Sequence, residues 1–160
     1  KYRLEPQMKL DLIFKPFKIL IFISAALVII CNNTFAMEEP KELIINDIEV
    51  GDGRTAVKGK EVAVHYTGWL FDSKLEVSEF CEAKGKQFDS SVERGMPFQL
   101  SLGQGMVIQG WEEGLIGMKE DGKRCLVIPP SMGYGNRAVG NGLIPANSTL
   151  IFEIILLGVR

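Results

Sequence analysis

The sequence predicts an α+β domain built on an antiparallel sheet with one short helix. Several short segments rich in β-branched and aromatic residues are separated by glycine and proline, a pattern typical of antiparallel strands. A single segment shows helical periodicity. The chain has 160 residues, 46% hydrophobic and 24% charged, which suits one ordinary domain plus a short extra segment and excludes two large domains.

Five segments are predicted to form strands. The first, residues 42–50, is closed by the turn signal Gly51-Asp52-Gly53. The others are residues 62–67, 97–102, 125–128 and 149–156, each short and rich in β-branched or aromatic side chains. Their number and brevity favour a meandering antiparallel sheet over a parallel one with crossover helices.

Residues 110–118 are predicted to form the helix. Trp111, Leu115 and Met118 recur at spacings of four and three, which places them on one face. Glu112 and Glu113 lie in the first turn, where negative charge interacts favourably with the helix dipole. The apolar face is therefore expected to pack against the sheet.

The N-terminal segment has the features of a secretory signal. Residues 19–30 are apolar except for Ser24, Lys9, Lys15 and Lys18 precede them, and the small-x-small sequence Thr34-Phe35-Ala36 follows. A membrane anchor is the alternative, but a span needs about 20 apolar residues. We expect residues 1–36 to be removed, residues 37–160 to form a single domain, and no stable membrane insertion to follow.

The charge of the mature chain argues against nucleic acid as a partner. Removing residues 1–36 takes away five basic and two acidic side chains, so the net charge changes from −2 to −5.

The sequence offers no metal or cofactor chemistry. His65 is the only histidine, and no cysteine or histidine lies at metal-ligand spacing from it, so we interpret it as a packed core residue. Gly103-Gln104-Gly105 lacks the remainder of a dinucleotide-binding motif. We therefore predict neither a metal nor a cofactor.

Aromatic motifs scattered from Tyr66 to Phe152 are more informative. In order they are His65-Tyr66-Thr67-Gly68, Phe88-Asp89-Ser90-Ser91, Phe98, Val107-Ile108-Gln109-Gly110-Trp111-Glu112, Tyr134-Gly135, Ile144-Pro145 and Phe152. Each alone is more typical of a core position or a turn. Their joint occurrence in this order resembles the FKBP-type peptidyl-prolyl isomerases, from about residue 42 to residue 160.

The resemblance implies a five- to six-stranded half-barrel sheet wrapped around the helix, and an apolar pocket that accepts proline. Trp111 would be the platform under the proline ring. The walls would be Tyr66, Phe88, Phe98, Val107, Ile108 and Phe152. By the same resemblance the Ile108 N–H and the Tyr134 hydroxyl would hold substrate carbonyl groups, Asp89 would lie at the mouth, and Ile144 would close the rim.

The resemblance also implies the activity and the partners. Tyr66, Asp89, Ile108 and Tyr134 would be the catalytic residues of a prolyl isomerase acting on exported proteins, most readily in a bacterial periplasm. The expected partners are proline-containing polypeptides and macrolides such as rapamycin and tacrolimus. Two alternatives stay open: a binding or chaperone module without useful turnover, and a virulence or surface protein. The oligomeric state is not predicted.

The chain departs from the small members of this family at two loops. Residues 73–87 form a charged insertion, which we expect to be a solvated loop rather than a flap that contacts client chains. The loop at residues 136–142 is about one residue longer than in the smallest relatives.

Two cysteines, Cys81 and Cys125, are left in the mature chain. A disulfide is open to them in an oxidising compartment, but two cysteines make no framework. The resemblance places them on different elements of the sheet, so we favour free thiols.

Overall fold

The structure is a computed structural model that describes residues 37–160. The signal predicted for residues 1–36 lies outside the described residues. Over residues 37–160, no helix combines the length and the apolar character needed to cross a bilayer.

An antiparallel sheet of six strands makes up most of the described domain. The strands are β1 (Ile44–Glu49), β2 (Glu61–Phe71), β3 (Lys84–Ser90), β4 (Phe98–Ser101), β5 (Lys123–Ile128) and β6 (Leu150–Val159). Their order is β1-β5-β6-β2-β3, and β4 also pairs with β2. The predicted α+β class and the five predicted strands are confirmed, whereas β3 was missed.

The length of β2 explains how both β3 and β4 pair with it. β4 pairs along Glu61 to Val64, and β3 pairs further along, from Thr67 to Phe71. On its other side β2 pairs with β6 over almost its full length. Strands β2 and β6 thus form the centre of the sheet.

The helix α1 (Gln109–Gly114) packs on one face of this sheet and is the single α-helix of residues 37–160. It is shorter than predicted, since a turn with Gly117 at φ +81° follows it. Trp111, Leu115 and Met118 are all buried, as their spacing predicted. A Cβ at Gly110 would lie 2.5 Å from the Ile128 side chain, so glycine allows the helix to approach β5 closely.

A buried arginine joins the helix to the edge of the sheet. Arg124 on β5 is 6% exposed and donates to both carboxylate oxygens of Asp47 on β1, at 2.6 and 3.0 Å. It also donates to the Gly114 and Ile116 carbonyl oxygens, at 2.7 and 3.1 Å. Because these carbonyls lie at the negative end of the helix, the cation satisfies them and its own charge is paired.

Hydrophobic cores cover both faces of the sheet. The larger core, on the helix side, contains Trp111 of α1 and the following Leu115 and Met118. They pack with residues of the sheet that include Val64, Leu126, Leu150 and Leu156. The smaller core lies on the opposite face and centres on Ala83, Cys125, Val127 and Ile151. The partly buried side chains around it are Ile44, Trp69, Phe71, Val77, Phe80 and Cys81.

The smaller core shows that the expectation of a solvated loop at residues 73–87 is wrong for part of that segment. Lys74, Leu75 and Glu76 are exposed, but Val77 and Phe80 pack against the smaller core and Ala83 is fully buried. A 3-10 turn at Phe80–Glu82 leads directly into β3. Apolar residues spaced among the charges let the segment fold back over the sheet.

The expectation of free thiols is also wrong. Cys81 and Cys125 form a disulfide across 44 residues of sequence, with an S–S distance of 2.10 Å. Cys125 points to the face opposite the helix, and the folded insertion brings Cys81 onto that same face. The sequence argument placed the cysteines on different elements correctly but did not anticipate that the insertion covers β5.

His65 does not occupy the core position that we expected. It is half-buried on β2, and its Nδ1 lies 3.0 Å from the Ser91 Oγ. Its neighbours Val64 and Tyr66 belong to the larger core. Because side chains alternate along a strand, His65 therefore faces the opposite side of the sheet.

Candidate functional site

A cavity of about 660 Å³ opens between the helix, the sheet and the loop that follows β5. This volume lies in the range typical of small-molecule sites. All ten residues predicted for the site line it: Tyr66, Phe88, Asp89, Phe98, Val107, Ile108, Trp111, Tyr134, Ile144 and Phe152. They come from β2, β3, β4, β6, the start of α1 and the loop after β5, so only the tertiary fold brings them together.

Aromatic rings form the inner part of the cavity, with Trp111 at the centre. Its ring centroid lies 5.1 Å from that of Tyr66, 5.3 Å from Phe152 and 6.0 Å from Phe98. The interplanar angles are 81–87°, so these three rings stand nearly perpendicular to the indole. Such edge-to-face pairs are favourable, and they leave an apolar space bounded by flat surfaces.

Gly68 on β2 makes room for two of these rings. Phe88 and Phe152 meet edge to face at 5.6 Å. A Cβ at Gly68 would lie 2.7 Å from the Phe88 ring and 2.8 Å from the Phe152 ring. The glycine of the Tyr-Thr-Gly motif is therefore required by close approach of aromatic side chains rather than by backbone conformation.

A hydrogen-bonded group lies at the mouth of the cavity. The Tyr66 hydroxyl donates to the Asp89 carboxylate, and Arg94 pairs with the same carboxylate. The Arg94 guanidinium also donates to the Tyr66 oxygen at 3.0 Å. Arg94 was missed from the sequence, where its position five residues after Asp89 on a turn gave only a weak signal.

The pKa values in this group follow from its contacts. Burial alone would raise the pKa of Asp89, but hydrogen bonds from Tyr66 and Arg94 outweigh it and hold the pKa below the usual 3.8. Burial and the hydrogen bond to Asp89 raise the pKa of Tyr66 above 10.0. At neutral pH, Asp89 is therefore ionised and Tyr66 is a protonated donor.

Two further donors at the cavity are free. Neither the Ile108 N–H nor the Tyr134 hydroxyl makes a hydrogen bond within residues 37–160. Burial, followed by the nearby Asp89 charge, raises the pKa of Tyr134 above 10.0, so its hydroxyl keeps its proton at neutral pH. Both groups are available to a carbonyl oxygen of a bound molecule.

The indole of Trp111 carries a third unused donor. Its Nε1 is buried and has no hydrogen-bond partner, the one such side-chain atom found in residues 37–160. Trp111 is 4% exposed and lies in the cavity wall. The polar groups at the cavity are thus mainly hydrogen-bond donors.

Glu112 holds the segment that carries Val107 and Ile108. Its carboxylate accepts from the backbone N–H of Gly103 and, at 3.2 Å, from that of Met106. The Ile108 carbonyl in turn accepts from the Trp111 and Glu112 N–H groups, at 2.9 and 3.2 Å. Sequence reasoning assigned Glu112 only to the helix dipole and missed this contact with the loop.

Six cavity residues were not predicted. They are Met106, Gly133, Arg137, Val139, Gly140 and Leu143, and five of them belong to the loop after β5. Backbone hydrogen bonds between Val139 and Ile144, at 2.9 and 3.1 Å, close this loop into a small hairpin. The resemblance placed Tyr134 and Ile144 of this loop at the site but named none of the cavity residues between them.

The geometry gives no support to metal or histidine chemistry. Within residues 37–160, no three His, Cys, Asp or Glu side chains are grouped as a metal site would require. His65 is absent from the cavity wall. The arrangement can bind an apolar ring and donate hydrogen bonds to carbonyl groups.

Comparison with protein families gives one match that covers most of the described domain. Residues 52–157 match the model of the FKBP-type peptidyl-prolyl cis-trans isomerase family. An "FK506-binding protein" of Neisseria meningitidis serogroup A is 53% identical over 117 residues, which are 73% of this chain and 95% of that protein. A protein of the same name from Streptomyces anulatus is 43% identical over 122 residues, 76% of this chain and 90% of its own length.

Solved structures agree with this match. The crystal structure of FkpA from Escherichia coli is 39% identical in sequence with a TM-score of 0.60, and the alignment covers 74% of this chain and 48% of FkpA. The crystal structure of AtFKBP13 is 38% identical with a TM-score of 0.61, and the alignment covers 76% of this chain and 96% of that chain.

Proposed function

The chain belongs to the FKBP-type peptidyl-prolyl cis-trans isomerase family and is a prolyl isomerase, and from this premise we propose that it isomerises X-Pro bonds in the aromatic cavity. The observation that carries the proposal is the perpendicular arrangement of Tyr66, Phe98 and Phe152 around Trp111. A proline ring is compact, apolar and of a size that such a space accepts. Trp111 would lie under the ring, with Phe88, Val107 and Ile144 completing the walls.

Isomerisation of an X-Pro bond is a simple reaction, but it is slow when it is uncatalysed. Rotation about an X-Pro bond has a barrier of about 18–20 kcal/mol because amide resonance is lost. The planar amide is more dipolar than the twisted one. Moving the amide from water into an apolar cavity therefore raises the ground state relative to the transition state. Each ~1.4 kcal/mol gained in this way increases the rate about tenfold.

The free donors would orient the bound chain. The Ile108 N–H and the Tyr134 hydroxyl have no partner within residues 37–160, so binding a carbonyl costs them no existing hydrogen bond. The Tyr66–Asp89–Arg94 group would keep the mouth polar and fixed, with the Tyr66 ring in position. In this account no residue transfers a proton.

We further propose that the protein acts on exported polypeptides, with residues 1–36 as a removable signal and the bacterial periplasm as the compartment. The Cys81–Cys125 disulfide supports this, because disulfides persist in oxidising compartments and are rare in the cytosol. Fractionation of the source cell tests it. Full-length chain recovered in the cytosol with reduced cysteines would contradict export.

The relatives named FK506-binding proteins suggest that macrolides of the FK506 and rapamycin type also occupy this cavity. They would stack on Trp111 and accept hydrogen bonds from the Ile108 N–H and the Tyr134 hydroxyl. Inhibition of turnover by a saturating macrolide, followed together with Trp111 fluorescence, tests the assignment. Unchanged turnover would contradict the assigned cavity.

Turnover itself is tested with the chain from Met37 and short X-Pro peptides. We expect faster cis-trans exchange at micromolar protein, with a preference for an apolar residue before the proline, because the exposed apolar side chains Met106 and Leu143 line the cavity beside its polar group. Refolding of a proline-limited protein should be accelerated in parallel. Peptide binding without faster exchange would instead favour the peptide-binding module.

A further inference from the structure

The charges at the cavity mouth are not balanced. Of the sixteen residues that line the cavity, only Asp89 and Arg137 are charged at neutral pH. The Asp89 charge is already compensated by Arg94. Arg137 makes no ion pair or side-chain hydrogen bond within residues 37–160 and is solvent-exposed. One uncompensated positive charge is therefore left at the mouth.

The position of Arg137 is defined by its backbone although its side chain is free. Its backbone N–H donates to the carbonyl oxygen of Tyr134 at 3.3 Å, and Tyr134 is the residue whose hydroxyl is free at the cavity. The loop around it is held at both ends, by the Val139–Ile144 pair and by the Asn147 N–H bonded to the Gly135 carbonyl at 2.7 Å. A chain bound with its proline against Trp111 must leave the cavity past this loop or past the opposite rim.

We propose that Arg137 makes the enzyme charge-selective, favouring client segments that carry a carboxylate within a few residues of the proline. The inference rests on the proposed use of the aromatic cavity. An exposed ion pair of this kind changes binding roughly two- to fivefold, which is enough to rank clients but not to exclude neutral ones. The net negative charge of the mature chain acts in the opposite direction, so the selectivity is a local property of the mouth.

The test uses peptides with a central Leu-Pro and either Glu, Gln or Lys placed two residues before or one residue after the proline. Exchange is measured by NMR without a coupled protease, because a protease would add its own charge preference. For the wild type, at one or both positions, we expect kcat/KM to be roughly two- to fivefold higher for the Glu peptide than for the Lys peptide. Raising the salt from 0.15 to 1 M should remove the difference, since screening shortens from about 8 to about 3 Å.

Three variants assign the effect. Arg137→Gln should bring the Glu-to-Lys ratio close to one, and Arg137→Glu should reverse it. Lys60→Gln removes the same charge from an exposed residue outside the cavity wall and should leave the ratio as in the wild type. A ratio that survives Arg137→Gln, or that Lys60→Gln reduces equally, would overturn the proposal.

The neutral Gln peptide separates this inference from the proposed function. Its exchange should still be accelerated by the wild type and by both Arg137 variants, because the aromatic rings are untouched, and Lys60→Gln is the variant expected to keep wild-type turnover of this peptide. Equal acceleration without any charge preference would reject the role of Arg137 and leave the isomerase site intact. If no peptide is accelerated, the proposed site fails, and the same NMR titrations still report whether affinity ranks Glu above Lys.

Discussion

At the scale of single residues, Asp89 is the acidic side chain in the cavity wall. It accepts from Tyr66 and Arg94 and is more than one third exposed as a side chain. Asp89→Leu should weaken macrolide binding more than it weakens the fold, because an exposed ion pair contributes little to stability. Ligand titration and chemical denaturation of the same preparation measure both effects. If the variant unfolds while its folded fraction binds normally, Asp89 is a structural residue.

The pH dependence of turnover tests the proposed mechanism. The lowered pKa of Asp89 keeps it ionised above about pH 4, and the raised pKa of Tyr66 keeps it protonated below about pH 10. The stability that Asp89 contributes is therefore present at neutral pH and is lost only as the pH falls through its folded pKa, below 3.8. We expect turnover per active site to be nearly flat from about pH 5.5 to 8, where histidine commonly titrates near ~6.5.

His65→Gln is the matched variant for this profile. Because His65 faces away from the cavity and contacts Ser91, the substitution should change stability more than rate. A sigmoidal profile in the wild type that disappears in folded His65→Gln would make His65 catalytic and would refute desolvation as the mechanism.

At the scale of elements, β6 and β3 contribute rings of different burial to the same cavity. Phe152 is 4% exposed at the centre of the sheet, whereas Phe88 is half-buried on the outer strand β3. Phe152→Ala should cost ~3–5 kcal/mol of stability as well as activity. Phe88→Ala should lower activity by enlarging the cavity while destabilising the fold less. Denaturation and peptide exchange, measured on both variants, would contradict this reasoning if Phe88→Ala proved the more destabilising.

The insertion is an element whose contribution can be isolated chemically. Reducing the Cys81–Cys125 bond should lower the free energy of unfolding by about 4 kcal/mol, the loop-entropy value for a 44-residue separation. Reduced wild type is the better comparison, because Cys125→Ala would add a cavity at a fully buried site. Peptide turnover should change little, since no residue of the insertion lines the cavity. An unfolding free energy that is independent of reduction would show that the crosslink adds nothing.

At the scale of the whole molecule, ligand binding should stabilise the entire domain, because the cavity wall draws on four strands, the helix and the loop after β5. Macrolide at a free concentration about 100 times its Kd should add ~2.7 kcal/mol to the free energy of unfolding. For a domain of this size that corresponds to an increase in Tm of about 10 °C. Thermal unfolding of Tyr134→Phe, which lacks the hydroxyl donor, should show a smaller increase under the same conditions. An equal increase in the variant would remove the Tyr134 hydroxyl from the binding site.

Local patterns were sufficient to predict much of the fold. The strand that contains Tyr66, the strand that contains Phe152 and the buried face of the helix follow from side-chain type and spacing, which depend on neighbours along the chain. The ten predicted site residues were found because they form motifs in a fixed order. Their roles as a platform, walls and donors are still predictions.

The tertiary structure decided what depends on contacts between distant segments. The insertion at residues 73–87 looked solvated because its charges dominate the composition, and only the apolar face of β5 explains why Phe80 packs there and Ala83 is buried. The same contact brings Cys81 to Cys125. The pairing of Arg124 with Asp47 and the unpaired charge of Arg137 are likewise set by which groups meet in space. The sequence by itself determined which side chains are present and which local elements they form. The pairing of charges and thiols was decided by packing, because it depends on distances in space rather than along the chain.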